Sequence, residues 1–210
     1  MRPRAVVLAA GASRRLGEPK ALADLGGRSA LARLCAALAA DGGAPVLVVT
    51  GRHDAEIRAH AEAEGLDVEL LHNPDWERGR TSSVARAARR WPGADLLVAP
   101  VDVPLVSASL VAGLVAEWDT LGRPARGWLA PCVASPGGVE RRFGHPVVLG
   151  AELAQEAADL APDRPLRLLR ERAAPLASLD TDDAAILDDL DTASDLAALR
   201  RRLAGAERPT

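Results

Sequence analysis

Short apolar runs alternate with stretches of helical period along most of the chain. AVVLAA (5–10), PVLVVT (45–50), VELLH (68–72) and ADLLVAPVD (94–102) read as strands, being compact runs bounded by Gly, Pro, Asn or Asp. Between them lie helical segments. Ser29 can cap a helix running to about Asp41, where Gly42-Gly43 stops it, and a polar helix covers 54–64. Asn73-Pro74 turns the chain out of the third strand; Thr81, Ser82 or Ser83 can cap the helix SVARAARRW, and Ser107 a helix to about Leu121. Four strand–helix units in series predict an α/β fold with a doubly wound, mostly parallel sheet.

From Gly127 the pattern changes. GWLAPCVAS and HPVVLG read as strands joined through Pro136-Gly137-Gly138, a β-hairpin-like insertion over the sheet edge. Helices near 151–160 and 165–172, strands PLASL and AILDDL, and a last helix from Ser194 to Leu203 complete one domain over 1–204, with 205–210 a frayed tail.

Composition narrows the function. The formal net charge is -3 and aromatics are 2%, with no tyrosine. There is thus neither a global basic field nor a set of stacking platforms for nucleic acid. The opening MRPRAVVLAAGAS has the basic start of a secretory leader, but its apolar run covers only Ala5–Ala12 before Arg14 and Arg15 and reads as a buried strand. No other apolar run approaches the roughly 20 residues of a membrane span. Cys35 and Cys132 have no metal-ligand or disulfide spacing and are expected as free thiols in a reducing cytoplasm.

Lys20 is the single lysine among 26 basic residues, and it closes the stretch LAAGASRRLGEPK. A glycine-bearing loop rich in cations, set directly after a strand, presents N–H groups and positive charge to an anion. It matches neither Gly-x-Gly-x-x-Gly nor the Gly-Lys-Ser/Thr of a P-loop. That absence weighs against an NAD(P)H-dependent oxidoreductase. A compact ammonium suits oxygens that move during reaction, whereas the guanidinium fork suits fixed planar partners. Asp102 stands at the end of the fourth strand, where open sheets bind ligands, and a carboxylate there can hold Mg²⁺. Asp191, in DDLDTAS, again ends a short apolar run before a helix, although Asp188 and Asp189 lie beside it and Thr192 or Ser194 can cap that helix.

LAAGASRRLGEPKAL, NPDWERGRTSSV, PVDVPL, GHPVVL and DLDTASDL, in order from residue 8 to 196, together resemble the MobA-like nucleoside-triphosphate transferases. The nearest likeness is to those that build the molybdenum cofactor dinucleotides. The resemblance implies a Rossmann-like nucleotidyltransferase fold, with Leu8, Ala9, Ala10 and Gly11 around base and ribose and Arg15 and Lys20 on the triphosphate. It further implies Asp102 and Asp191 as Mg²⁺ ligands, Asn73, Gly79 and Ser82 or Ser83 on the nucleotide side, and His145 facing the acceptor. An LAAG opening resembles the cytidylyl-transferring members, and LAGG the guanylyl-transferring ones. The expectation is CMP transfer from CTP to a phosphorylated acceptor, molybdopterin first, with a molybdenum enzyme as eventual client. Guanylyl transfer, a sugar or alcohol phosphate acceptor, and a non-catalytic nucleotide sensor are the alternatives. One departure concerns the acceptor: Pro162-Asp163-Arg164-Pro165-Leu166-Arg167 stands where cytidylyltransferases carry Gly-Asp-x-Gly-Ala-Arg.

Overall fold

The computed structural model describes residues 2–40, 42, 45–134, 140–160 and 164–206. Its centre is one eight-stranded sheet. The order is β3-β2-β1-β4-β7-β5-β6, with β8 on the other side of β5. Strands β1 (Arg4–Ala9), β2 (Val46–Thr50), β3 (Val68–His72) and β4 (Leu96–Pro100) are mutually parallel. The expected doubly wound, mostly parallel fold is therefore present.

The strands are buried on both faces because helices cover both. Val7, Val48, Leu97, Leu129 and Val148 pack beneath α1 (Ala30–Ala39) and α4 (Ala108–Thr120), together with Ile57 of α2 (Asp54–Ala63). Val6, Leu47, Val49, Leu96 and Val98 face α3 (Arg80–Arg90) and α5 (Ala151–Asp159), with Leu169 of the short α6 (Arg167–Arg170). Each fully buried Val or Leu contributes about 1.5–3 kcal/mol, so alternation along every strand feeds two cores at once. Trp118 is wholly buried, and its indole N–H donates to Asp95 Oδ2 at 2.9 Å. Ser29 caps α1 by accepting from the Ala32 N–H at 3.1 Å, as the sequence suggested. Cys35 and Cys132 are both buried and free.

The C-terminal half departs from the reading. HPVVLG is not the second arm of a hairpin lying over an edge. It supplies β7 (Val147–Leu149), which is inserted antiparallel between β4 and β5 (Trp128–Ala134) inside the sheet. The short β6 (Arg141–Phe143) does pair antiparallel with β5, so the hairpin is local, and the turn expected at 136–138 lies outside the described residues. Edge duty falls to β8 (Leu176–Asp180), parallel to β5. AILDDL is not a strand: Ala184–Leu187 forms a 3-10 turn capped by Asp183. Its apolar residues, Ala185 and Ile186, are buried from a turn rather than a ladder. The final helix, α7 (Ala193–Ala206), takes in the first two residues of the expected tail.

Candidate active site

The C-terminal ends of β1, β2, β3 and β4 open into a cavity of about 630 Å³. Leu8, Ala9, Ala10 and Gly11 form its floor, and a Cβ on Gly11 would have nothing within 4 Å. Gly51 has the opposite role. A Cβ there would stand 2.4 Å from the Ala10 carbonyl and 2.7 Å from Trp76, so only glycine lets the loops after β1, β2 and β3 meet.

Beyond Gly11 the loop folds back on itself. Ser13 adopts the left-handed region (φ +51°), and its carbonyl accepts from Leu16 and Gly17 N–H at 3.2 Å. Its hydroxyl accepts from the Lys20 N–H at 3.0 Å. Pro19 is extended, as a residue leading into a 3-10 turn at Lys20–Leu22, and Lys20 is thereby aimed inward with its side chain 15% exposed.

Lys20 Nζ donates to Asp191 and lies 3.7 Å from Asp102 Oδ2. Arg15 also donates to Asp191. Arg80, at the start of α3, stands 3.6 Å from Asp102 Oδ2. Asp102 follows β4 by two residues, at the strand end where the sequence placed it. Asp191 reaches the cavity by another route. Ala23, Leu25 and Ala30 pack against Leu190, Leu196 and Leu199, which docks α7 beside the first loop. The Leu190 N–H then donates to the Asp102 carbonyl at 2.9 Å, tying the two acidic segments together. Thr192 and Asp195 form a reciprocal cap in which the Asp195 carboxylate accepts from Thr192 N–H (2.8 Å) and Asp191 N–H (3.2 Å), and Thr192 Oγ1 accepts from Asp195 N–H (3.2 Å).

Electrostatics follow from these pairings. The hydrogen bond from Lys20 and then the charges of Lys20 and Arg15 hold Asp191 below the usual carboxylate range. Asp189 is pushed up, by loss of hydration first and then by the negative charge of Asp191 and Asp102. Oxygen ligands of Asp102, Asp189 and Asp191 all lie within 4.8 Å of one another. An all-oxygen donor set of this kind fits a hard divalent cation such as Mg²⁺.

Of the residues proposed from sequence, Leu8, Ala9, Ala10, Gly11, Arg15, Lys20, Gly79, Asp102 and Asp191 line the cavity, and so does Ser83. Asn73, Ser82 and His145 do not. Asn73 is fully buried and donates to Ser82 Oγ (2.8 Å) and Ser83 Oγ (3.0 Å), while its carbonyl oxygen accepts from Asp75 N–H (3.0 Å). It fixes the loop that delivers Gly79. None of the three hydroxyls caps α3; Gly79 (φ +113°) precedes the helix without a side-chain cap, the Ser82 N–H donates to the Gly79 carbonyl at 3.1 Å, and Gly79, Arg80 and Ser83 line the cavity at the helix start. His145 lies behind Arg80 and Asp102, its pKa pushed down to about 4 by burial and then by Arg80, against the opposing pull of Asp102. It is neutral at pH 7. Arg80 and Asp189 escaped the sequence reading, although Arg80 lies within NPDWERGRTSSV and Asp189 within DDLDTAS. Of the Pro162–Arg167 departure, 162 and 163 lie outside the described residues, and the Arg164 carbonyl accepts from Thr81 Oγ1.

The doubly wound sheet with its strand-end cavity is the setting in which residues 5–177 match the MobA-like NTP transferase domain. The chain belongs to that family. It is 41% identical over 92 residues to the bifunctional IPC transferase and DIPP synthase of Rubrobacter xylanophilus, covering 42% of this chain and 21% of that protein. It is 35% identical over 133 residues to the CMP-5'-(3-aminopropyl)phosphonate synthase of Streptomyces rubellomurinus, covering 59% of this chain and 21% of that one. The chain thus spans about a fifth of the length of these curated relatives. Among solved structures, the Rv0371c homologue of Mycobacterium sp. strain JC1 is 29% identical with a TM-score of 0.76 over 98% of both chains. Rv0371c of Mycobacterium tuberculosis H37Rv, in complex with manganese, is 23% identical with a TM-score of 0.71, over 96% of this chain and 99% of that one. The CMP:2-keto-3-deoxy-manno-octonic acid synthetase complexed with CTP is 16% identical with a TM-score of 0.78, over 98% of this chain and 100% of that one. Among the described residues, no helix is long and apolar enough to cross a membrane.

Proposed function

We propose that the chain transfers CMP from CTP to a phosphate oxygen of a small acceptor and releases pyrophosphate. The observation that carries this reading is the meeting of Lys20, Arg15 and Arg80 with Asp102 and Asp191 at the parallel strand ends. In the free protein these cations and carboxylates pair with one another. A triphosphate with its divalent cation brings the complementary set, so the protein's cations can pass to the phosphates and its carboxylates to the metal. The family match, the LAAG opening and the curated relative whose product carries CMP on a phosphonate support the choice of CTP.

The acceptor oxygen attacks the α-phosphorus of CTP; the new O–P bond forms as the bond to the β-phosphate oxygen breaks, and pyrophosphate leaves. Transfers of this kind rest on positioning and charge stabilisation, without a protein nucleophile. Lys20 and Arg15 neutralise the departing pyrophosphate, and the N–H groups opening α3 and the floor residues Leu8–Gly11 orient the nucleotide. Asp102 and Asp191, with Asp189 beside them, would hold Mg²⁺, which supplies Lewis-acid polarisation of the phosphoryl oxygens. His145, which the sequence resemblance assigns to the acceptor side, is neutral and buried, and feels the charges of Arg80 and Asp102 from outside the cavity lining.

The acceptor is molybdopterin in this reading, following the sequence resemblance. Incubation with CTP or GTP, Mg²⁺ and either molybdopterin or a small alkyl phosphonate, followed by mass analysis and a pyrophosphate assay, tests it. The expected product is a CMP–molybdopterin conjugate with stoichiometric pyrophosphate. A conjugate formed only with the phosphonate would move the acceptor, and pyrophosphate release from GTP alone would move the nucleotide.

A further inference from the structure

A second cavity, of about 260 Å³, lies apart from the first and shares no lining residue with it. Its walls are Arg28, Arg33 and Arg202, together with Pro104, Leu105, Val106 and Leu203. Three guanidinium groups around one small hollow repel one another unless an anion joins them.

Arg28 and Arg33 are held by backbone carbonyls rather than folded onto carboxylates. Arg33 Nε donates to the Leu25 carbonyl and Nη2 to the Gly26 carbonyl at 3.2 Å. Gly26 makes this possible by turning in the left-handed region (φ +67°). Arg28 donates to the Ala32 carbonyl at 3.3 Å. Only Arg202 meets an acid: its Nη1 donates to both oxygens of Asp188, at 2.6 and 2.7 Å. The other nearby carboxylate, Asp24, accepts from Gly27 N–H at 2.8 Å and lies 3.9 Å from Arg200. Arg33 Nη1 and Arg202 Nε and Nη2 are therefore left without a hydrogen-bond partner among the described residues. Backbone carbonyls orient Arg28 and Arg33 without cancelling their charge, whereas Arg202 shares its charge with Asp188.

We propose that this cavity binds a small phosphate monoester, its oxygens on Arg33, Arg202 and Arg28 and its carbon chain against Leu105, Val106 and Leu203. Guanidinium forks suit phosphate oxygens, and the apolar half of the lining suits a short organic tail. The volume falls just below the usual range of small-molecule pockets, which sets the size of the ligand at a few carbons. Asp188 competes with that ligand for Arg202.

Calorimetric titration of the whole chain with n-butyl phosphate, with no nucleotide or divalent metal present, tests the site independently of the proposed reaction. One binding event is expected, tighter than that of inorganic phosphate. It should survive Lys20→Ala, weaken about tenfold or more in Arg33→Gln and in Arg202→Gln, and tighten in Asp188→Asn. Circular dichroism checks each fold, and Arg28→Gln replaces any variant that fails to fold. Loss of binding in Lys20→Ala with retention in Arg33→Gln would assign the anion to the large cavity and overturn the proposal. Absence of binding at millimolar ligand, equal affinity for inorganic phosphate, or sedimentation as a dimer with the cavity covered would overturn it as well.

Discussion

Each of the four parallel strands β1 to β4 delivers a loop to the large cavity, bringing Lys20, His53, Gly79 and Asp102 in turn. Among the described residues, the chain beyond 127 contributes only Asp191 to that lining, and it does so from the irregular segment just before α7 rather than from a strand end. The first region positions chemistry by topology, because parallel strands must all release their loops on one side. The second positions it by docking: α7 packs on 23–30, and the bond from Leu190 N–H to the Asp102 carbonyl fixes the rest. Topology can be read from a periodic pattern; docking depends on a handful of specific contacts.

The largest effects should come from the first region. Asp102→Asn is expected to abolish Mg²⁺-dependent pyrophosphate release while leaving the circular dichroism spectrum intact, since the amide keeps the shape and loses the charge. An unfolded variant would make Asp102 a structural residue. Lys20→Ala should lower kcat/KM by about two orders of magnitude or more; near wild-type turnover would remove the ammonium from the reaction.

Stability measurements sharpen the contrast. His145 titrates well below its ordinary value, at about 4, because burial and Arg80 disfavour its charged form. The unfolded chain therefore takes up a proton near pH 6.5 that the folded chain refuses until about pH 4. Stability from this group is complete above pH 6.5 and is lost as pH falls towards 4, by about 3 kcal/mol in all. Urea unfolding of wild type and His145→Gln at pH 7, 5.5 and 4 reads the difference, and parallel curves would deny the histidine this role. Asn73→Ala should cost about 2 kcal/mol by leaving Ser82, Ser83 and the Asp75 N–H short of partners. Thr192→Ala should cost about 1 kcal/mol through the lost cap and should raise the Mg²⁺ concentration needed for half-maximal turnover. An unchanged Mg²⁺ requirement would detach the cap from Asp191 and weaken the docking account.

The sequence was legible where one rule sufficed. The four strands, the Ser29 and Ser107 caps, and the positions of Lys20 and Asp102 all follow from periodicity and strand-end logic. It was less legible where burial could be met in two ways. AILDDL has the apolar content of a strand, yet two buried side chains on a 3-10 turn satisfy it equally. VVL of β7 reads as a strand from either position in the sheet, and pairing with both β4 and β5 decided the insertion. Arg80 was hidden because Thr81, Ser82 and Ser83 look like caps, whereas the helix starts one residue before them and Asn73 claims two of the hydroxyls. Asp189 looked like a rival to Asp191 and proves to be its neighbour in one carboxylate group, while Asp188 turns away to Arg202.

The most direct test of the central claim is a calorimetric titration of the purified chain with CTP, in the presence and absence of Mg²⁺, alongside GTP and NADPH. Mg²⁺-dependent binding is expected, with CTP preferred over GTP and no heat from NADPH. Binding of NADPH alone, or no binding of any triphosphate, would contradict the reading of Lys20, Asp102 and Asp191 as a nucleotide-transfer site.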